Sequence, residues 1–103
     1  MSLIVNDWEM ERAMIADLIL KELYEFHMDE FYSLTRVLLS AKIFTKGYND
    51  LFLVAKQMEW DNYIELKGSD LNPLAKLSHK GILFCEVSSY AYPDYPIITH
   101  KGT

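Results

Sequence analysis

The chain has 103 residues, half of them hydrophobic and 14% aromatic, with a net charge of −5. That length suits one core rather than two, and that composition excludes a disordered chain. No apolar run reaches the roughly 20 residues of a membrane span, one cysteine (Cys85) excludes an internal disulfide, and the acidic balance argues against heavy non-specific nucleic-acid binding, which rests on Lys and Arg neutralising phosphates. The charge is uneven. Residues 1–30 carry −6, residues 31–80 carry +2 and the remainder −1, so the acid sits in the first helix and the middle is mildly basic. No basic region followed by an apolar core opens the chain, and a reduced, cytoplasmic setting is the expectation.

The first predicted element is a long amphipathic helix, about 7–27. Asn6 with Glu9 three residues on forms a capping-box pattern, and Val5 and Met10 hold staple positions. Trp8, Ile15, Ile19, Leu23 and Phe26 recur at helical spacing, with Met14 and Leu18 beside them. Asp17, Lys21 and Glu25 follow one another at i, i+4 on the opposite face and read as a solvated ladder of ion pairs. A second helix is predicted from Glu30 to about Ile43, with Phe31, Leu34, Leu38 and Ala41 as its apolar stripe and Ser33, Arg36 and Lys42 outward. Gly47 bends the chain and Asn49 caps a third helix, roughly 49–59, with Leu51, Val54, Ala55 and Met58 facing inward.

In "NYIELK" Asn62, Ile64 and Leu66 alternate with Tyr63, Glu65 and Lys67, the period of a half-buried strand. "GSDLNP" is loop chemistry: Gly68 permits positive φ, Ser69, Asp70 and Asn72 bond their own backbone, and Pro73 blocks strand pairing. "LAKLS" returns as a short strand, and Ser78 caps a fourth helix over about 79–90. The tail "YPDYPIITHKGT" contains two prolines and is not helical. The expectation is therefore a single α+β domain, mainly helical, with three helices, a two-stranded hairpin, a C-terminal helix and residues 91–103 as a tail.

The stretches "AKQMEWDNYIELKG" and "LAKLSHKGILF" resemble the winged-helix (winged helix-turn-helix) family, over about residues 10–88. In that family the second hairpin strand closes in a Leu-Ser/Thr-x-x-Gly signature that opens the next helix, matched here by Leu77, Ser78, His79, Lys80 and Gly81. The resemblance implies a small dimeric DNA-binding transcriptional regulator whose third helix enters the major groove of double-stranded DNA. Carried over by position, the DNA contacts are Lys46, Tyr48, Asn49, Lys56 and Gln57 around the third helix. Arg36 and Lys42 add to a basic stripe, and Lys67, Ser69 and Asn72 stand on the wing. The chain departs from the family pattern in having no arginine in the third helix or wing, Asp50 near the helix start, and apolar Phe52 and Leu53. The alternative expectation is a winged-helix protein-interaction module without DNA binding, using Phe52 and Leu53 or the tail tyrosines Tyr90, Tyr92 and Tyr95 for a partner or a second copy.

No catalytic or cofactor site is expected. His27, His79, His100 and Cys85 have none of the close spacings of zinc ligands. Cys85 within "ILFCEV" reads as a small buried hydrophobe, with no base to activate it. No Gly-rich phosphate loop or nucleophile elbow occurs.

Overall fold

A computed structural model describes residues 7–41 and 48–99. The elements run α1 (Asp7–Phe26), β1 (Tyr32–Ser33), α2 (Leu34–Ser40), α3 (Tyr48–Trp60), β2 (Ile64–Ser69), β3 (Asn72–Leu77) and α4 (His79–Val87). Among the described residues four helices accompany a three-stranded antiparallel sheet of order β1-β3-β2, an α+β arrangement. No helix of the described residues is long and apolar enough to cross a membrane.

One core joins the elements. Ile15, Ile19, Leu20 and Leu23 of α1 meet Leu34, Val37 and Leu38 of α2 and Leu51, Val54, Ala55 and Met58 of α3. Ile64, Ala75, Leu77 and Cys85 close it from the hairpin and α4. Sheet alternation holds as the sequence reading expects: Ile64 is buried, Glu65 and Lys67 are exposed, and Pro73, Ala75 and Leu77 point inward from β3. The Cys85 thiol is pushed up to about 12 by burial, with the nearby Asp17 and Glu86 carboxylates adding to it. Iodoacetamide at mildly alkaline pH should therefore leave the folded protein unlabelled, with modification appearing only as urea unfolds it; rapid labelling in buffer alone would contradict this burial.

Five expectations need correction. Residues 30–33 are not helical, because the predicted second helix starts late. Asp29 adopts φ 65, which turns the chain out of α1, and Tyr32 stacks on His27 at 3.5 Å between ring centroids. Ser33 then caps α2 by accepting the Arg36 N–H at 3.3 Å, while Tyr32 and Ser33 pair with Ala75 and Leu74 to add a third strand to the sheet. Pro73 lies inside a paired strand, opposite Gly68. It is tolerated there because β1 pairs only with Leu74 and Ala75, so beyond Leu74 the other edge of β3 carries no ladder that needs its N–H.

The fourth helix stops at Val87 rather than near 90, as Ser88 is fully extended at φ −155 and ψ −176. Asp17, read as part of a solvated ladder, instead accepts the Tyr90 and Ala91 backbone N–H groups at 2.7 and 2.9 Å. Only Lys21 and Glu25 of that ladder are paired, at 3.3 Å. α3 also begins at Tyr48, placing Asn49 within its first turn rather than at a cap. Val5, Asn6 and Gly47 fall outside the described residues.

Candidate functional site

A hairpin follows α3 as the sequence implies, although its turn is shorter than the predicted loop, since Gly68, Ser69, Asn72 and Pro73 are paired strand residues. α3 ends where Asn62 takes φ 68, a left-handed conformation that asparagine tolerates, with its N–H on the Glu59 carbonyl at 2.8 Å. Strand β2 follows, and Gly68 at φ 91 curls the chain into a two-residue turn, Asp70-Leu71, between Ser69 and Asn72. Ser69 Oγ accepts the Asn72 N–H at 3.1 Å, and Ser33 Oγ donates to Asn72 Oδ1 at 3.1 Å. Ser69 and Asn72 thus hold the turn together and tie it to the cap of α2. Ser78 clips the far end: its Oγ accepts the Gly81 N–H at 2.9 Å and donates to the Asn62 carbonyl at 2.6 Å.

Beside the hairpin, α3 buries Leu51, Val54, Ala55 and Met58 and turns Leu53, Lys56, Gln57 and Trp60 outward. Phe52 is half-buried. Lys56 Nζ pairs with Glu59 Oε1 at 2.9 Å, and Gln57 Nε2 donates to Asp61 Oδ1 at 3.1 Å. Both contacts are exposed, and an exposed helical pair is worth about 0.3–0.5 kcal/mol, so a phosphate or base edge competes with them readily. Arg36 is exposed on α2. Lys67 lies over the Phe31 ring at 4.1 Å from its centroid, with Lys76 at 5.8 Å from the same ring. Glu65 faces Lys76 in register and tempers that basic pair. Tyr48 and Asn49 open α3, while Lys42 and Lys46 lie outside the described residues.

The tail tyrosines divide. Tyr90 is half-buried: it meets Tyr63 edge-on and donates to Asp61 Oδ2 at 2.6 Å, and burial, reinforced by that bond, drives its phenol far above the ordinary range. Tyr92 and Tyr95 remain exposed on the tail, which returns to the fold through Ile97 N–H to Ser88 O and Ile98 N–H to Cys85 O, both at 3.0 Å.

Sequence reasoning missed Trp60, which is 81% exposed at the end of α3. Its signal was present, since Leu53, Lys56 or Gln57 and Trp60 recur at three and four residues. It also missed Leu71, 80% exposed at the tip of the turn, and Lys76, whose role depends on Phe31 being brought beside β3. Asp17 and Asp61 gave no signal, because their tail partner lies far away in sequence.

Comparison with protein-family models, with curated proteins and with solved structures finds no match to this chain.

Proposed function

We propose that the chain is a winged-helix DNA-binding transcriptional regulator, with α3 entering the major groove and the β2–β3 hairpin serving as the wing. The observation that carries this reading is the place of β1. A short strand between the first two helices pairs with the second hairpin strand, giving the order β1-β3-β2 that supports a winged-helix arrangement over a plain helical bundle with an appended hairpin. The outward row of α3 and the turn of the hairpin then lie on consecutive elements, as a groove-reading helix and a flanking wing require. Gln57 offers a donor and an acceptor for an adenine edge, and Lys56 and Lys67 offer phosphate contacts.

A second reading, a winged-helix interaction module, is favoured by one observation: the same row carries Leu53 at 49% and Trp60 at 81% exposure. Exposed tryptophan is a common anchor of protein interfaces, and fold alone does not decide function. The two readings separate by salt and charge. Anisotropy of a labelled duplex should show an affinity that falls with rising salt, at a log–log slope of about −0.9 per phosphate neutralised. Lys56→Glu with Lys67→Glu should weaken binding by about tenfold or more, and Glu59→Gln should tighten it by about threefold, since it removes an acid and frees Lys56. If neither variant moves a measured affinity, or no duplex binds at low salt, the interaction-module reading replaces this one.

A further inference from the structure

We infer that the outer face of the sheet takes a single strand of nucleic acid, with a base stacked on Phe31 and the flanking phosphates on Lys67 and Lys76. This goes beyond duplex reading by α3 and does not depend on it. Strand register fixes which residues share that face. Ala75 and Leu77 point into the core, so Leu74 and Lys76 point away from it. Ser33 and Lys67, both opposite Leu74, and Glu65, opposite Lys76, lie on the same side. Phe31 precedes β1 by one residue, out of phase with the inward Tyr32, and its ring reaches the lysines. Lys67 Nζ stands 4.1 Å and Lys76 Nζ 5.8 Å from the ring centroid.

Packing does not account for that ring. Tyr32 and Leu66 pack against the core, whereas among the described residues Phe31 neither belongs to it nor packs on it. Nor is the charge beside the ring neutralised. Glu65 faces Lys76 in register, yet among the described residues no carboxylate comes within ion-pair distance of Lys67 or Lys76. Glu30, next to Phe31 in the chain, is turned to His27 at 3.1 Å. Two cations converging on one partly exposed ring form a site for a flat group with negative charge beside it. An acidic peptide would engage the lysines and leave the ring idle, while a nucleotide engages both. A duplex keeps its bases stacked on one another, so the partner is an unpaired strand. Lys67 over the ring is no obstacle. Its side chain is exposed, a cation–π contact at such a site is weak, and the ammonium swings to a phosphate when a base takes its place.

The test is anisotropy of a labelled oligothymidylate of about 12 nucleotides at low salt, a length that one small domain covers. The wild type should bind it. Phe31→Leu should weaken binding about tenfold, while Phe31→Tyr, which keeps the stacking face, should stay within about threefold of wild type. Lys76→Gln should flatten the salt dependence by about 0.7 in log–log slope, the share of one phosphate on a single strand. Ultraviolet irradiation of the wild-type complex, read by mass spectrometry, should place the cross-link on Phe31 and needs no variant. An oligouridylate of the same length separates RNA from DNA as the source of the strand, and binding of either supports the proposal. No binding of either at low salt, a Phe31→Leu affinity equal to wild type, or a cross-link confined to Trp60 overturns it. Lys56→Glu on α3 should leave the oligonucleotide affinity within about threefold, so this face and duplex binding by α3 stand or fall separately.

Discussion

Gly81→Ala is expected to lower the stability of the domain by about 3 kcal/mol or more, a loss of the size that overpacking produces where neighbours cannot yield. Alanine within a helix is ordinarily favoured over glycine by about 1 kcal/mol, so the sign here is set by packing and not by propensity. A Cβ on Gly81 would overlap the Tyr63 carbonyl oxygen and would also meet Leu77 Cδ1 at 3.2 Å. The Tyr63 backbone has no freedom to retreat. Its N–H is bonded to the Met58 carbonyl at 3.0 Å, and its carbonyl accepts the Ser78 N–H at 3.0 Å. Urea unfolding followed by circular dichroism should show a lower midpoint with an unchanged slope. Leu83→Ala, at a side chain 51% exposed on the same helix, is the control and should shift the midpoint little. Equal effects at the two positions would mean that α4 does not start against the hairpin root.

That glycine also shows how far the sequence could be read. Leu77, Ser78 and Gly81 carry local chemistry, a buried strand end, a cap and a close approach, and each is found where its residue type implies. Most of the inward row of α1, that of α3 and the alternation of β2 were legible for the same reason, since a helix or a half-buried strand writes its period into a short window. Phe26 and Met14, read with the α1 row, are instead 66% and 52% exposed. Elements that depend on distant partners were not legible. Tyr32 and Ser33 are a strand only because Ala75 and Leu74 lie beside them, and helical spacing extends smoothly across them from Leu34. Pro73 reads as a break until the short reach of β1 is known. Of the candidate site, the outward positions Leu53, Lys56 and Gln57 followed from helical phase. Lys76 did not, because its setting over Phe31 depends on the third strand.

Asp17→Ala is the second large effect, an expected loss of about 2–3 kcal/mol, because two hydrogen bonds to a charged acceptor go together. The tail they hold carries Ile98, which is 9% exposed, and Tyr90, whose ring packs with Tyr63 and Phe84. Hydrogen exchange at the Tyr90 and Ala91 amides should rise sharply in the variant while exchange in the core of α1 changes far less. Uniform protection would show that the tail is held by its apolar contacts alone.

The same carboxylate has a pH signature. Burial raises the Asp17 carboxyl above its ordinary value of 3.8, against the opposing pull of the Ala91 and Tyr90 N–H groups. A carboxyl raised in the folded state binds more protons there than in the unfolded chain, so its contribution to stability falls as pH climbs from the unfolded value through the folded one. The stability of the wild type relative to Asp17→Asn should therefore decline as pH rises from about 3.8. A difference that grows with pH would mean that the two N–H bonds outweigh burial.

Duplex binding by α3 and the hairpin is tested most directly by titrating isotope-labelled protein with a short DNA duplex and following the backbone amides by NMR. Shifts should concentrate at Leu53, Lys56, Gln57 and Trp60 of α3 and at Lys67 to Asn72 of the hairpin, and should reverse on adding salt. An unperturbed spectrum, or shifts confined to α1 and the tail while α3 stays still, would contradict that binding.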